Sequence, residues 1–292
     1  MSMTAMTAAT PFRVVAGDQQ AQAAREDGYL YLPALLPQDE VLAVRKEVTA
    51  IAARHGLLWP GTPVGDAVAE PSAFLHESDP TPAYKAYYND LLRRRGVHAL
   101  AVHPALIGVL ETVLGESVLA HPRNIVRTVF PRRPSITTAP HQDHRPIKAS
   151  PEVWTAWIPL GDCPEQLGGL AVAPGSHRGG LHPVPEGSIY FEASGDTEWR
   201  WNPLRCGDVL LFHSLTVHQA RDNRSTDRIR FSCDFRYQGR GTPVHEHSLL
   251  PHMRWIGWDE VYAGWAADDP LRYYWRAWPL DIRSDDRLLS SS

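Results

Sequence analysis

A β-sandwich or jelly roll set behind a helical N-terminal layer is the fold this mainly β sequence predicts, and three observations predict it. Apolar residues in the first hundred positions recur at helical spacing. From Ser117 onward the texture changes to short β-like runs punctuated by Pro, Gly and Asp. Seven or eight such runs follow one another with no helix between them, which calls for antiparallel sheets.

The elements can be taken in order. Asp27-Gly28-Tyr29-Leu30-Tyr31-Leu32-Pro33 reads as a short strand between breakers, and Pro37-Gln38-Asp39-Glu40 opens a helix whose Val41, Val44, Val48 and Ile51 share one face. A Pro/Gly-rich loop from Trp59 to Pro82 separates it from a second helix at about Ala83–Arg95 and a third at about Pro104–Leu114. The β runs are 118–120, 125–130, 153–160, 170–172, 188–191, 209–212 and 229–237. The aromatic-crowded segment 254–278 is expected to return as helix and loop over the barrel. Residues 1–12 and 284–292 read as frayed tails of a single domain spanning 1–292.

With 292 residues, 43% of them hydrophobic, the chain can bury one sizeable core. The formal net charge of -4 provides no broad cationic field, so nucleic acid is not an expected partner. No run approaches eighteen consecutive apolar residues and the start lacks the pattern of a secretory signal, so a cytoplasmic protein without a membrane partner is expected, as monomer or homodimer. Three cysteines (Cys163, Cys206, Cys233) with no CxxC pair indicate neither a disulfide framework nor a thiolate zinc site.

The sharpest local feature is His141-Gln142-Asp143. Side chains at i and i+2 of an extended strand leave the same face, so an imidazole and a carboxylate aim at one point. Alone this is a weak signal in a chain with fourteen histidines. Downstream, however, Gly207-Asp208 opens an apolar strand that runs on to His218, and a jelly roll can bring late strands beside early ones. Two histidines and one carboxylate on one side of an ion form the donor set of non-haem Fe(II) oxygenases. His213 competes for the third position, but strand alternation favours His218. Beyond it, Arg228, Arg230, Ser232 and Asp234 share one strand face. An arginine aimed into a barrel calls for an anion, and the far carboxylate of 2-oxoglutarate suits Arg228. Arg221, Arg224 and Arg230 are read as solvated or internally paired.

With those residues in place the chain resembles the phytanoyl-CoA dioxygenase family of Fe(II)/2-oxoglutarate oxygenases. The resemblance rests on His141-Gln142-Asp143, on Trp154-Thr155-Ala156-Trp157-Ile158-Pro159-Leu160, on Leu167-Gly168-Gly169 through Pro174-Gly175-Ser176-His177, and on Gly207-Asp208 through His218 and Arg228. It runs from about Asp27 to Tyr237. It implies a double-stranded β-helix, the cupin-like form of the jelly roll, with iron on His141, Asp143 and His218. It also implies a salt bridge from Arg228 to 2-oxoglutarate, an aromatic at Trp157 beside that co-substrate, and O2 as oxidant. Two departures are Ala220, where a small polar residue is usual, and a gap to the arginine that is one residue short and leaves Arg230 as fallback.

The activity implied is oxidation, by default hydroxylation, of a C–H bond of a small organic molecule with release of succinate and CO2. Asp143 disfavours halogenation. His144, Arg145, Lys148 and Arg127 can meet an anionic group near the mouth, and the 59–82 loop and the aromatic C-terminus can form an apolar lid. An arginine-rich, lysine-poor basic set suggests a GC-rich bacterial source, hence a natural-product intermediate as substrate rather than an acyl-CoA. A non-catalytic metal- or ligand-binding jelly roll is the alternative from another class.

Overall fold

The computed structural model describes residues 9–132, 137–148 and 150–284. The helical layer is built from α1 (Gln20–Asp27), α2 (Gln38–Arg54), α3 (Pro82–Leu92), α4 (Arg95–Ala101) and α5 (Pro104–Leu114), with β1 (Tyr29–Leu32) between the first two. Val41, Val44, Val48 and Ile51 are buried on α2, as their spacing predicts. Thr81 caps α3 by accepting from the Tyr84 amide at 3.2 Å, with Pro82 in the first turn. The expected single helix to Arg95 instead stops at Leu92, and α4 follows as a separate element. The stretch Arg95–Leu114 has the length and mean hydropathy, 1.6, of a membrane-crossing helix, yet Val102 and His103 break it into α4 and α5, which bury Val97, Leu100, Leu106 and Leu110 in the protein.

The remaining strands are β2 (Val118–Ala120), β3 (Ile125–Val129), β4 (Val153–Pro159), β5 (Gly169–Val172), β6 (Val209–His213), β7 (His218–Arg221), β8 (Arg230–Gly239), β9 (Val244–His245) and β10 (Ile282–Arg283), with the short helices α6 (His144–Ile147) and α7 (Trp258–Val261). A six-stranded sheet runs β1-β6-β4-β8-β2, with β3 also paired to β8. Its strand pairings are all antiparallel. The second layer is the antiparallel pair β5-β7, extended by single bridges from His218 to His141, from His141 to Tyr190 and from Val172 to Arg200. The run 188–191 is therefore no strand, but Tyr190 still edges this layer.

Side-chain alternation assigns each face of the large sheet. Trp154, Ala156 and Ile158 of β4, Val209 and Leu211 of β6, and Phe231, Cys233, Phe235 and Tyr237 of β8 pack with the helices in one core. The other face meets the small layer. Trp157, Leu210 and Phe212 pack there with Leu170, Val172 and Ala220, while Arg230, Ser232, Asp234 and Arg236 of β8 line a cavity. The functional half of the sandwich is thus the polar half of its interior.

The C-terminal aromatics close over the helices rather than over a cavity mouth. Trp255 meets Tyr84 and Tyr88 edge-on, and Trp258, Tyr262 and Trp275 belong to the helix-side core. Of the expected tails, residues 1–8 and 285–292 lie outside the described residues, whereas Thr10 bridges Arg200 and Phe12 is buried, so fraying does not reach that far inward.

Candidate metal centre

His141 and His218 face each other across adjacent extended segments, joined by His141 N–H to His218 O at 3.0 Å and His218 N–H to His141 O at 3.1 Å. This pairing sets two imidazoles side by side, ring centroids 4.1 Å apart. Each Nδ1 donates to a local carbonyl, His141 to Ala139 and His218 to Thr216, both at 2.9 Å. Those bonds fix the tautomer and leave each Nε2 with a lone pair aimed inward.

Asp143 completes the group. Its Oδ1 lies 3.8 Å from both Nε2 atoms. Its Oδ2 accepts from the Thr155 hydroxyl at 2.7 Å and from Arg236 at 3.0 Å, so one oxygen is anchored and the other is presented. The donor atoms of the three residues lie within 4.8 Å of one another, and all three side chains are buried. Metal–ligand bonds of about 2.1 Å need these atoms to close in by less than an ångström. The chemistry also fits: burial, and for His141 the neighbouring His218, hold both imidazoles below their ordinary range, His141 at about 3, so they are neutral donors. Burial alone would raise the Asp143 carboxyl, but Arg236, helped by the Thr155 hydroxyl, holds it well below the usual carboxylate range.

The cavity over these atoms is walled by Trp157, Thr155, Leu170 and Phe212, and Arg230 reaches into it. Arg230 is buried; its Nη1 donates to the carbonyls of Leu167 at 3.0 Å and Arg221 at 3.2 Å, while its Nε is buried without a hydrogen-bond partner. Among the described residues no carboxylate pairs with it. A buried guanidinium steered only by carbonyls, in a cavity with three residues able to hold a metal, could take an anion.

Arg228, expected in that role, is elsewhere. Asn223 Nδ2 donates to the Arg228 carbonyl at 2.7 Å and the Arg228 amide donates to Ser225 Oγ at 3.1 Å, which holds residues 223–228 as a turn and delays β8 until Arg230. The guanidinium then leaves the cavity, 44% exposed, and donates to the Asp66 carbonyl at 2.7 Å. His213 also faces away, toward Glu152 at 3.6 Å. His177 donates to the Arg25 carbonyl, packed under the end of α1. Of the proposed cationic mouth only Arg127 lines a cavity, and it is already paired with Glu77 at 2.7 Å and Asp234 at 2.9 Å. Arg145 turns to the His182 carbonyl.

Sequence reasoning missed Arg236, Thr155, Glu77 and Arg123. The first was legible, since it continues the alternation Arg230, Ser232, Asp234. The 59–82 loop does reach the site, through Glu77, but with a charge rather than an apolar lid. A second cavity of about 260 Å3 adjoins the triad, lined by Arg123, Arg127, Arg236, His121, His252 and the apolar Ile125, Ile147, Ile189 and Met253, among others.

With this geometry established, comparison with known proteins is informative. Residues 24–232 match the family model described as Phytanoyl-CoA dioxygenase (PhyH). The 1-deoxypentalenic acid 11-beta-hydroxylase of Streptomyces arenae is 30% identical over 245 residues, 77% of this chain and 82% of its own. The peroxisomal phytanoyl-CoA dioxygenase of Homo sapiens is 23% identical over 233 residues, 74% of this chain and 67% of its own. Among solved structures, the non-heme alpha ketoglutarate dependent epimerase SnoN from nogalamycin biosynthesis superposes with a TM-score of 0.56 at 25% identity, covering 77% of this chain and 84% of that one.

Proposed function

The chain belongs to the phytanoyl-CoA dioxygenase family, and from that premise we propose that it is a non-haem Fe(II)/2-oxoglutarate-dependent dioxygenase acting on a small natural-product intermediate, most simply as a hydroxylase. The observation that carries the reading is the juxtaposition in one cavity of His141, Asp143 and His218 with the buried, carboxylate-free Arg230. A mere metal binder has no use for that arginine.

Iron with 2-oxoglutarate and O2 supplies the oxidising power for attack on a C–H bond, with CO2 and succinate as co-products. The protein's part is positional. His141 Nε2, His218 Nε2 and Asp143 Oδ1 hold the ion, while the Ala139 and Thr216 carbonyls keep both imidazoles in the required tautomer. Arg236 and Thr155 keep Asp143 ionised and stop it rotating. Arg230 takes the distal carboxylate of the co-substrate in place of Arg228, and Trp157, Leu170 and Phe212 exclude water around it. The Streptomyces arenae hydroxylase supports both hydroxylation and a natural-product substrate. SnoK from nogalamycin biosynthesis, which shares the fold, is a carbocyclase, so ring formation is an outcome to look for in the products.

The test is oxygen-dependent succinate release in the presence of Fe(II) and 2-oxoglutarate, alongside the anaerobic charge-transfer band. Asp143→Ala is expected to abolish both. Undiminished turnover in that variant overturns the ligand assignment, and absence of the band in the wild type at saturating Fe(II) and 2-oxoglutarate favours the binder.

A further inference from the structure

The cavity beside the triad carries a charge that neither the metal nor the co-substrate satisfies. Four arginines, Arg123, Arg127, Arg230 and Arg236, and three carboxylates, Glu77, Asp143 and Asp234, line the two adjoining cavities among the described residues. Glu77 and Asp234 are both engaged by Arg127, and Asp143 is engaged by Arg236 and the metal position. In the loaded state read above, the dication and the dianion cancel, which leaves one positive charge.

That charge falls to Arg123. Among the described residues its guanidinium donates a single hydrogen bond, to the His247 carbonyl at 3.1 Å, and no carboxylate stands within ion-pair distance. Burial, then the nearby Arg236, pulls it down to about 10, the mark of a cation short of counter-charge. Arg236 adds to the demand, because its Nε and Nη1 are buried without hydrogen-bond partners, Nη1 standing 3.8 Å from Asp234 Oδ2. The histidines lining this cavity do not change the count: burial holds His121 at about 4 and His252 well below its usual range, burial and then Arg254 lower His247, and His141 is the neutral donor of the triad. Ile125, Pro146, Ile147, Ile189 and Met253 form the apolar part of the lining, with the uncharged polar Thr138, Tyr190 and Ser248 beside them.

We propose that the substrate is an apolar small molecule bearing one carboxylate, seated on Arg123 beside Arg236, with its body between the isoleucines and Met253 and so beside the metal position. The inference rests on the iron and 2-oxoglutarate reading, which sets the charge of the loaded site. A monoanion closes the balance, whereas a phosphate dianion overshoots it. A cavity of about 260 Å3 is at the small end of ligand sites and suits a compact body rather than a nucleotide-tailed one. The anion end fixes which face of the body meets the oxidant, so Arg123 acts as a determinant of both affinity and the carbon attacked.

The experiment uses the full chain, anaerobic, saturated with Fe(II) and 2-oxoglutarate, the saturation read from its own titration. Adamantane-1-carboxylate and adamantane-1-carboxamide, equal in bulk and differing in charge, are titrated by calorimetry into wild type and Arg123→Met. The wild type is expected to bind the carboxylate at least about tenfold more tightly than the amide, and the variant to lose that preference while binding the amide as before. Equal affinities in the wild type, no binding of either probe up to about millimolar concentration, or a preference that survives Arg123→Met each overturn the proposal. The wild-type ratio needs no variant, so it decides even if Arg123→Met fails to fold. If the first titration shows no 2-oxoglutarate binding, it is the reaction assignment that fails.

Discussion

Two arginines two residues apart have opposite fates, and the difference can be measured. Arg230 is buried in the triad cavity with an unpartnered Nε, while Arg228 is 44% exposed and already bonded to the Asp66 carbonyl. Removing a charge-assisted pair that holds a buried carboxylate costs about 2–4 kcal/mol, so Arg230→Met is expected to weaken 2-oxoglutarate binding on the order of 100-fold. Arg228→Met is expected to leave it within about twofold, since exposed pairs contribute little. Titration of the anaerobic charge-transfer band reads both, and a larger loss in Arg228→Met reverses the assignment. The convergence of His141, Asp143 and His218 was anticipated in the sequence from their motifs, although Asp143 is helical, at φ −66° and ψ −22° where α6 begins, rather than part of an extended strand. The choice of arginine was not, because the turn that Asn223 and Ser225 tie through the Arg228 backbone halts the strand alternation just before Arg230. Arg123 and Glu77 were illegible for another reason, as they come from segments whose approach to the triad is a tertiary fact.

At the scale of elements, the join between α1 and β1 packs against the residue that orients His218 of the candidate metal centre. Gly28 ends α1 at φ 71°, and a Cβ there would stand 2.3 Å from His177 Nδ1 and 2.6 Å from Thr216 Oγ1. Thr216 donates its hydroxyl to the Gly28 carbonyl at 2.7 Å and offers its own carbonyl to His218 Nδ1, so a displaced Thr216 turns a ligand. Gly28→Ala should therefore cost more than the about 1–2 kcal/mol of a left-handed residue alone, and Fe(II) affinity should fall with it. Gly17→Ala, with nothing within 4 Å of the added carbon, should do neither. Urea midpoints and Fe(II) titrations check both, and normal Fe(II) affinity in a folded Gly28→Ala protein breaks the proposed coupling. The long elements were readable from pattern: α2 and α5 have apolar periodicity, β4 and β6 are near-continuous apolar runs, and β8 alternates polar and apolar residues. α1 buries only Ala23 and Ala24, and β7 is the polar His-Gln-Ala-Arg, so neither left a pattern to read.

For the whole molecule, buried neutral histidines make stability depend on pH in a window set by burial. His98, remote from the metal position, donates Nε2–H to the Leu92 carbonyl at 2.8 Å, and its Nδ1 accepts from Asn124 at 3.1 Å. Both nitrogens are satisfied only in the neutral form, and burial holds the ring at about 4 against an ordinary 6.5. His252, whose Nδ1 accepts from the Tyr88 hydroxyl at 2.6 Å, is held low for the same reason. Above 6.5 neither the folded nor the unfolded chain protonates His98, so it exerts no pull. As pH falls below 6.5 the unfolded chain takes up a proton that the folded chain refuses, and stability is lost until pH reaches about 4, below which the loss is complete. Between pH 6.5 and 5.5 this amounts to about 1 kcal/mol for each such histidine, in a range above that in which Glu77, held low by Arg127, releases its own contribution. His98→Gln keeps a donor for Leu92 but has nothing to titrate. The difference in unfolding free energy between wild type and His98→Gln, followed by urea denaturation, is expected to shift by about 1 kcal/mol in the variant's favour between pH 6.5 and 5.5. Groups common to both proteins cancel in that difference, so parallel curves would show that His98 carries a proton in the folded state and that burial does not exclude the charge.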